Sequence, residues 1–128
     1  GLTEFAGENP PTHGTLSHER WRRYASPVWM DINFSNTLNA KAARENDDER
    51  HVCPMALDLI ERAIQLWSNP GDVVFDPFSG IGSTGYQAIR MGRKFAGSEL
   101  KTAYFEQAVK NIGSAKANQG ALFDSEAV

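Results

Sequence analysis

The sequence predicts an α/β domain: one parallel βαβ unit flanked by helices, on a sheet that is incomplete. Three observations lead there. Leu57, Ile60, Ile64 and Trp67 recur at helical spacing, joined by Leu59, Ala63 and Leu66, the pattern of an amphipathic helix. Two short apolar runs follow, Asp72–Phe75 (DVVF) and Lys94–Ser98 (KFAGS), each of strand length rather than helix length. Between them lie a glycine-bearing loop and another helical stretch. A strand–helix–strand crossover within one sheet has parallel strands and is right-handed. Two such strands do not make a stable sheet alone.

Taken in order, residues 1–50 read as an arm and loop region. Pro10–Pro11 and the early glycines break regular structure, with a helical turn at Ser17–Tyr24. Val28–Ile32 (VWMDI) is apolar enough for a short extended piece packed on the domain. The charge run ARENDDER reads as a solvated loop or helix end. The main helix spans Pro54–Ser68. Asn69-Pro70-Gly71 stops it, because proline restricts the residue before it and glycine permits a sharp turn. Asp72–Phe75 reads as a buried strand. A loop over Asp76–Gly82 leads into a helix over Ser83–Met91, with Ser83 or Ser79 as its cap and Gly92 as its end. Lys94–Ser98 is the second strand and Ala103–Ile112 the last helix. The core thus occupies residues 51–113, Trp29 and Trp67 belong to it, and residues 114–128 form a flexible tail.

Composition narrows the class. The 128 residues suffice for one modest domain. A 41% hydrophobic and 23% charged content argues against wholesale disorder. A net charge of −3 gives no global basic footprint for nucleic acid, so any DNA contact has to come from a local patch or from another part. With Cys53 as the one cysteine, no internal disulfide forms, which fits a reducing cytoplasm. No apolar stretch reaches membrane-spanning length, and the N-terminus has neither the basic start nor the apolar run of a signal peptide. The chain begins with Gly rather than Met, which fits a piece whose natural start has been removed. His13, His18 and His51 show no metal-ligand spacing, so no metal site is expected. Cys53 reads as a small buried residue rather than a nucleophile.

The chemistry concentrates in Asp76-Pro77-Phe78-Ser79-Gly80-Ile81-Gly82-Ser83-Thr84-Gly85. Gly80, Gly82 and Gly85 match G-x-G-x-x-G after a strand and opening a helix. Glycine lets the backbone turn tightly and a ligand approach without a Cβ in the way. The following helix offers free N–H groups. Glu99 ends the next strand, where an acid accepts hydrogen bonds from ribose hydroxyls. The whole series of strand, loop, helix, strand and acid carries far more weight than the glycines alone. Two nucleotide ligands fit it, a dinucleotide and S-adenosylmethionine. A dinucleotide site puts its glycines directly on the strand end, so that the pyrophosphate meets the helix N-terminus. Here Asp76, Pro77 and Phe78 intervene, and Asp76 suits a ligand ammonium. That favours S-adenosylmethionine and leaves a nicotinamide-binding fragment as the weaker alternative.

DPFSGIGSTG resembles the D-P-F-x-G-x-G-T cofactor loop of the N6-adenine and N4-cytosine DNA methyltransferases. The segment from His51 to Arg62 (HVCPMALDLIER) is similar to their H-P-x-Q-K-P-x-x-L-L-E-R, and Gly92–Leu100 (GRKFAGSEL) to their G-R-x-F-x-G-x-E-L. Tyr104-Phe105 matches the aromatic that follows. The resemblance runs from His51 to Ile112, and less specifically over the preceding arm, in the manner of phage-borne members. It implies a partial Rossmann-like methyltransferase fold. It implies S-adenosylmethionine held by His51, Cys53, Asp76, Phe78, Ser79, Gly80, Gly82, Ser83, Thr84, Glu99 and Leu100. In the whole enzyme the amino nitrogen of a flipped base attacks the methyl carbon.

The sequence departs from the family at several positions. Val52 stands at the family's first Pro, Met55-Ala56 at its K-P, and Gly85 at a Thr. No D-P-P-Y or S-P-P-Y motif is present. The nearest string, Asn9-Pro10-Pro11-Thr12, lacks the aromatic and reads as a loop. No catalytic residue is therefore assigned, and the chain reads as the C-terminal part of a permuted enzyme whose catalytic motif comes first. A non-catalytic relative that binds cofactor or DNA is the alternative. Arg20, Arg22 and Arg23, interleaved with Trp21 and Tyr24, suit phosphate contact and base stacking on DNA; they equally suit an amphipathic turn that packs its aromatics on the domain. The strand at Asp72–Asp76 is expected to leave one edge open. That edge calls for self-association, for the missing catalytic part, or for cover by Val28–Ile32.

Overall fold

The computed structural model describes residues 15–39 and 53–124. In chain order they form α1 (Thr15–Tyr24), α2 (Leu57–Trp67), β1 (Val73–Asp76), α3 (Ser83–Arg90), β2 (Lys94–Gly97) and α4 (Thr102–Asp124). β1 and β2 pair in parallel, Val73 opposite Lys94 through Asp76 opposite Gly97, with α3 as the crossover. The α/β class and the incomplete parallel sheet are as the sequence predicts.

The core lies on one face of this sheet. Leu57, Ile60 and Ile64 of α2 and Ala88 of α3 are buried together, with Val74, Phe95 and Tyr86 packed against them. Among the described residues the other face is bare. Val73 and Phe75 are 62% and 65% exposed, so β1 alternates in and out rather than being a fully buried strand. Parallel sheets ordinarily have both faces covered. One edge of β1 is open as well. The carbonyls of Asp72 and Asp76 accept the N–H groups of Lys94 and Ser98. Backbone groups alternate between edges along a strand, so those of Val73 and Phe75 face away from β2. Among the described residues the sheet has two strands, in the order β1-β2.

Several boundaries move for physical reasons. α2 starts at Leu57 rather than Pro54, because Ala56 is extended and the Leu57 N–H donates to the Asn36 carbonyl. α3 is capped by Gly82 in a left-handed conformation, with no side-chain cap from Ser79 or Ser83. α4 continues through Gly113 to Asp124. A single helical glycine costs only about 1 kcal/mol, and Ala115 beyond it is fully buried. Trp67 is 85% exposed and not a core residue, whereas Trp29 is half-buried.

Val28–Ile32 forms neither a strand nor a cover for β1. It is anchored instead on α2. Arg62 is buried, its guanidinium stacked on the rings of Tyr24 at 4.7 Å and Trp29 at 5.0 Å. It donates to both oxygens of Asp31, at 2.8 and 2.9 Å. One turn earlier on α2, Asp58 accepts the Asn33 N–H and the Asn36 amide. Arg62 and Arg23 hold the Asp31 carboxyl well below the usual carboxylate range, and Asn36 and Asn33 lower that of Asp58. The arm therefore docks through polar groups at i and i+4 of one helix, while its apolar Val28 and Met30 stay exposed.

A second buried guanidinium ties the far end of α2 to the turn before β2. Arg93, 4% exposed, donates to the Ser68 hydroxyl, the Ser68 carbonyl and the Met91 carbonyl. It satisfies carbonyls at two helix ends that would otherwise lack partners.

Candidate functional site

Parallel pairing brings the C-terminal ends of β1 and β2 to one edge, the usual ligand edge of an open α/β sheet. The loop after β1 and the turn after β2 are stitched together there. The Ser79 N–H and hydroxyl both donate to the Ser98 carbonyl, and the Ser98 hydroxyl donates to the Pro77 carbonyl. From the side, α4 fixes the loop: the Asn111 amide donates to the Ile81 carbonyl, and Tyr104 packs on buried Ile81.

This frame encloses a cleft of about 230 Å³. Seven of the residues expected from the sequence line it: Cys53, Asp76, Phe78, Ser79, Gly80, Ser83 and Thr84. Glu99 joins through its carboxylate, whose Oε2 accepts the Gly80 N–H at 2.8 Å and whose Oε1 accepts the Lys101 N–H at 2.9 Å. Leu100 follows it, fully exposed, and Phe78 is 87% exposed. Cys53 is exposed as well, not buried. His51 lies outside the described residues, as do Asn9–Thr12 and the charge run. Pro54, Met55, Ile81 and Tyr104 also line the cleft. Tyr104 could have been found from its helical spacing to Ala108, which turns it toward the loop. Arg20, Arg22 and Arg23 lie on α1 and do not line the cleft; Arg23 is paired with Asp31. Among the described residues no cluster of His, Cys, Asp or Glu is placed to hold a metal, and no helix is long and apolar enough to cross a membrane.

The three glycines do different work. A Cβ on Gly80 would meet nothing within 4 Å, and its φ is +52°; this is the position that leaves room for a ligand. Gly82, at φ +82°, would put a Cβ 3.0 Å from that of Ala108, so it admits α4. Gly85 would put a Cβ 2.7 Å from Ile112 and from the Phe95 ring; it serves helix–strand packing. Restoring the family's threonine, Gly85→Thr, is thus expected to destabilise by about 1–3 kcal/mol through overpacking. Ile112→Ala in the same chain should recover part of it, read from urea midpoints. Equal stability of Gly85→Thr and the parent would contradict this packing role.

Four of the loop's own N–H groups are already used. Those of Phe78, Ser79, Gly80 and Gly82 donate to Asp76 Oδ1, the Ser98 carbonyl, Glu99 Oε2 and the Ser79 carbonyl. Two of these acceptors are carboxylates. A pyrophosphate reaching this loop would meet negative charge where phosphate sites offer free N–H groups. The same carboxylates suit a ligand carrying hydroxyls and a cation.

Comparison with known proteins agrees with the fold. The family profile described as DNA methylase, of the N6/N4 type, matches residues 8–110. The chain belongs to this family. Among curated members, the type II methyltransferase M1.MboII of Moraxella bovis is 45% identical over 99 residues, which is 77% of this chain and 34% of that protein. The DNA adenine methyltransferase YhdJ of Escherichia coli K12 is 41% identical over 64 residues, 50% of this chain and 22% of YhdJ. A solved DNA modification methylase from Thermus thermophilus, complexed with S-adenosyl-L-methionine, superposes with a TM-score of 0.57 at 29% identity, covering 86% of this chain and 40% of that one. This DNA methylase chain thus spans about a third or less of the length of these two curated relatives. Its two-stranded unit is a partial Rossmann-like methyltransferase fold.

Proposed function

We propose that this chain is the S-adenosylmethionine-binding part of a DNA methyltransferase acting on adenine N6 or cytosine N4. The carrying observation is the cleft at the strand ends, in which Asp76 and Glu99 present carboxylates that already accept the N–H groups of Phe78 and Gly80. Such a cleft favours a cationic, hydroxyl-bearing ligand over a dinucleotide. Asp76 would face the ligand ammonium, Glu99 the ribose, Leu100 and Phe78 its apolar parts, and Gly80 would leave room for it. Cys53, Ser79, Ser83 and Thr84 would line the methionine side with His51, and Gly82 would shape the loop beneath. When bound, the cofactor supplies a methyl group activated by a sulfonium; the chain's own residues bind and orient it.

Further parts of the reading are the family order and the partners. The chain fits the C-terminal part of a permuted, phage-like enzyme whose acceptor-binding motif comes first. DNA would be the substrate of the whole protein, with Arg20, Arg22 and Arg23 as candidate phosphate contacts. The bare edge and face of β1 suit either a catalytic part on another segment or a second copy of this chain. A cytoplasmic location follows from a DNA substrate.

Titration calorimetry with S-adenosylmethionine, with NAD as control, tests the reading. Binding is expected for the first and not for the second. Losing a hydrogen bond to a charged acceptor costs about 1.5–3 kcal/mol, so Glu99→Ala should weaken binding roughly tenfold to a hundredfold. Affinity unchanged in that variant, or NAD binding as well as S-adenosylmethionine, would remove the assignment.

A further inference from the structure

Glu99 makes two bonds that a ribose acceptor alone does not need. Its Oε2 accepts the N–H of Gly80, at the half-buried turn of the loop, and its Oε1 accepts the N–H of Lys101, at the entrance to α4. The carboxylate therefore bridges the segment after β1 and the segment after β2 without any ligand. Gly80 has a left-handed backbone and open space where a Cβ would stand. Nothing packs on it from that side, and its own N–H is held by Glu99.

We infer that Glu99 is a positioning residue for the glycine loop as well as a ligand group: it clamps Gly80 in the cofactor-free chain, so that the cleft is preformed rather than assembled on binding. The inference rests on the reading of the cleft as the cofactor site. Its chemistry follows from the capacity of a carboxylate, which offers about four lone-pair positions on two oxygens. Two are taken by backbone N–H groups, and the remaining two can accept the two hydroxyls of a ribose. The backbone bonds orient those lone pairs before the ligand arrives, which lowers the ordering cost of binding. Charge-assisted bonds of this kind are about twice as strong as neutral ones. They add to the bonds that Ser79 and Ile81, on either side of Gly80, make with Ser98 and Asn111.

The clamp is testable without cofactor, so its failure is distinct from failure of the cofactor assignment. In the uniformly ¹³C,¹⁵N-labelled chain, a scalar coupling across the hydrogen bond is expected between the Gly80 amide nitrogen and the Glu99 side-chain carboxyl carbon. Its absence, in a sample where couplings across β1 and β2 are seen, would overturn the inference. Amide exchange gives a second readout. Protection of Gly80 should fall about tenfold or more in Glu99→Ala and by less in Glu99→Gln, which keeps one acceptor oxygen. The amides of Val74 and Phe95 in the sheet should keep theirs. Equal Gly80 protection in the parent and in Glu99→Ala would overturn the clamp even if both variants bind S-adenosylmethionine poorly. Should Glu99→Ala fail to fold, the coupling measured on the parent chain decides alone.

Discussion

Purified alone and supplied with S-adenosylmethionine, this chain is expected to transfer no methyl group to DNA. The reaction this family resembles needs no covalent nucleophile from the protein. It needs the target amino group held against the methyl donor in a dry, shaped site, and such positioning is worth up to roughly 10⁵-fold or more in rate. Nothing in the sequence matches a D-P-P-Y or S-P-P-Y motif, and the one string with two prolines, Asn9–Thr12, has no aromatic to stack on a flipped base. The described cleft offers carboxylates and a glycine loop that suit a cofactor. The bare face at Val73 and Phe75 points the same way, since a base-binding wall would have to be built from something that covers it. The check is radiolabelled methyl incorporation into DNA, with Gly80→Val as control. A branched side chain at that left-handed position strains the loop, while its Cβ meets nothing within 4 Å. Incorporation by the parent chain that Gly80→Val abolishes would defeat the proposal that the chain is inactive alone.

The glycine loop was legible because its signal is local. A strand, a glycine loop, a helix, a strand and an acid follow one another within Val73–Glu99, and each carries its own turn or period. What the sequence could not convey is which faces are covered. The helical period correctly puts Leu57, Ile60 and Ile64 on one side of α2, and the same period adds Trp67; yet no described element lies over Trp67. Apolar content made Val28–Ile32 look like an extended piece packed on the domain, whereas its docking depends on Asp31 meeting Arg62, thirty-one positions away. Neither residue has a local pattern that announces the pair. The glycines were legible as a set but not in their separate duties. Gly85 reads as part of a ligand motif, and only the approach of Ile112 and Phe95 reveals it as a packing position. Arg93 is the converse case: a charged residue in a turn reads as solvent-facing, and it is buried because three oxygens at two helix ends need a donor.

Removing the Arg62 side chain is expected to free the arm while leaving the cleft folded. The guanidinium is desolvated between Tyr24 and Trp29. Cation–π contacts of that kind are worth about 2 kcal/mol or more when shielded from water. The bidentate pair with Asp31 adds to this, and Asp31 also holds Arg23 of α1. Arg62→Ala should therefore lower Tm by roughly 8 °C or more for a domain of this size. Arg62→Lys should recover little, because an ammonium has neither the planar fork for Asp31 nor the flat face for the two rings. Low pH should act in the same direction. The folded Asp31 carboxyl is held below its ordinary value by Arg62, so its contribution is complete above the unfolded value near about 4 and is lost as pH falls below that toward the folded value. The discriminating readout is local. Trypsin should cut after Arg22 and Arg23 markedly faster in Arg62→Ala than in the parent, since cleavage follows opening of the segment. Amides of β1 and β2 should stay protected, because Leu57, Ile60, Ile64 and Ala88 still cover them. An Arg62→Ala chain with unchanged Tm and unchanged tryptic cutting at α1 would mean that Asp58, through Asn33 and Asn36, holds the arm by itself.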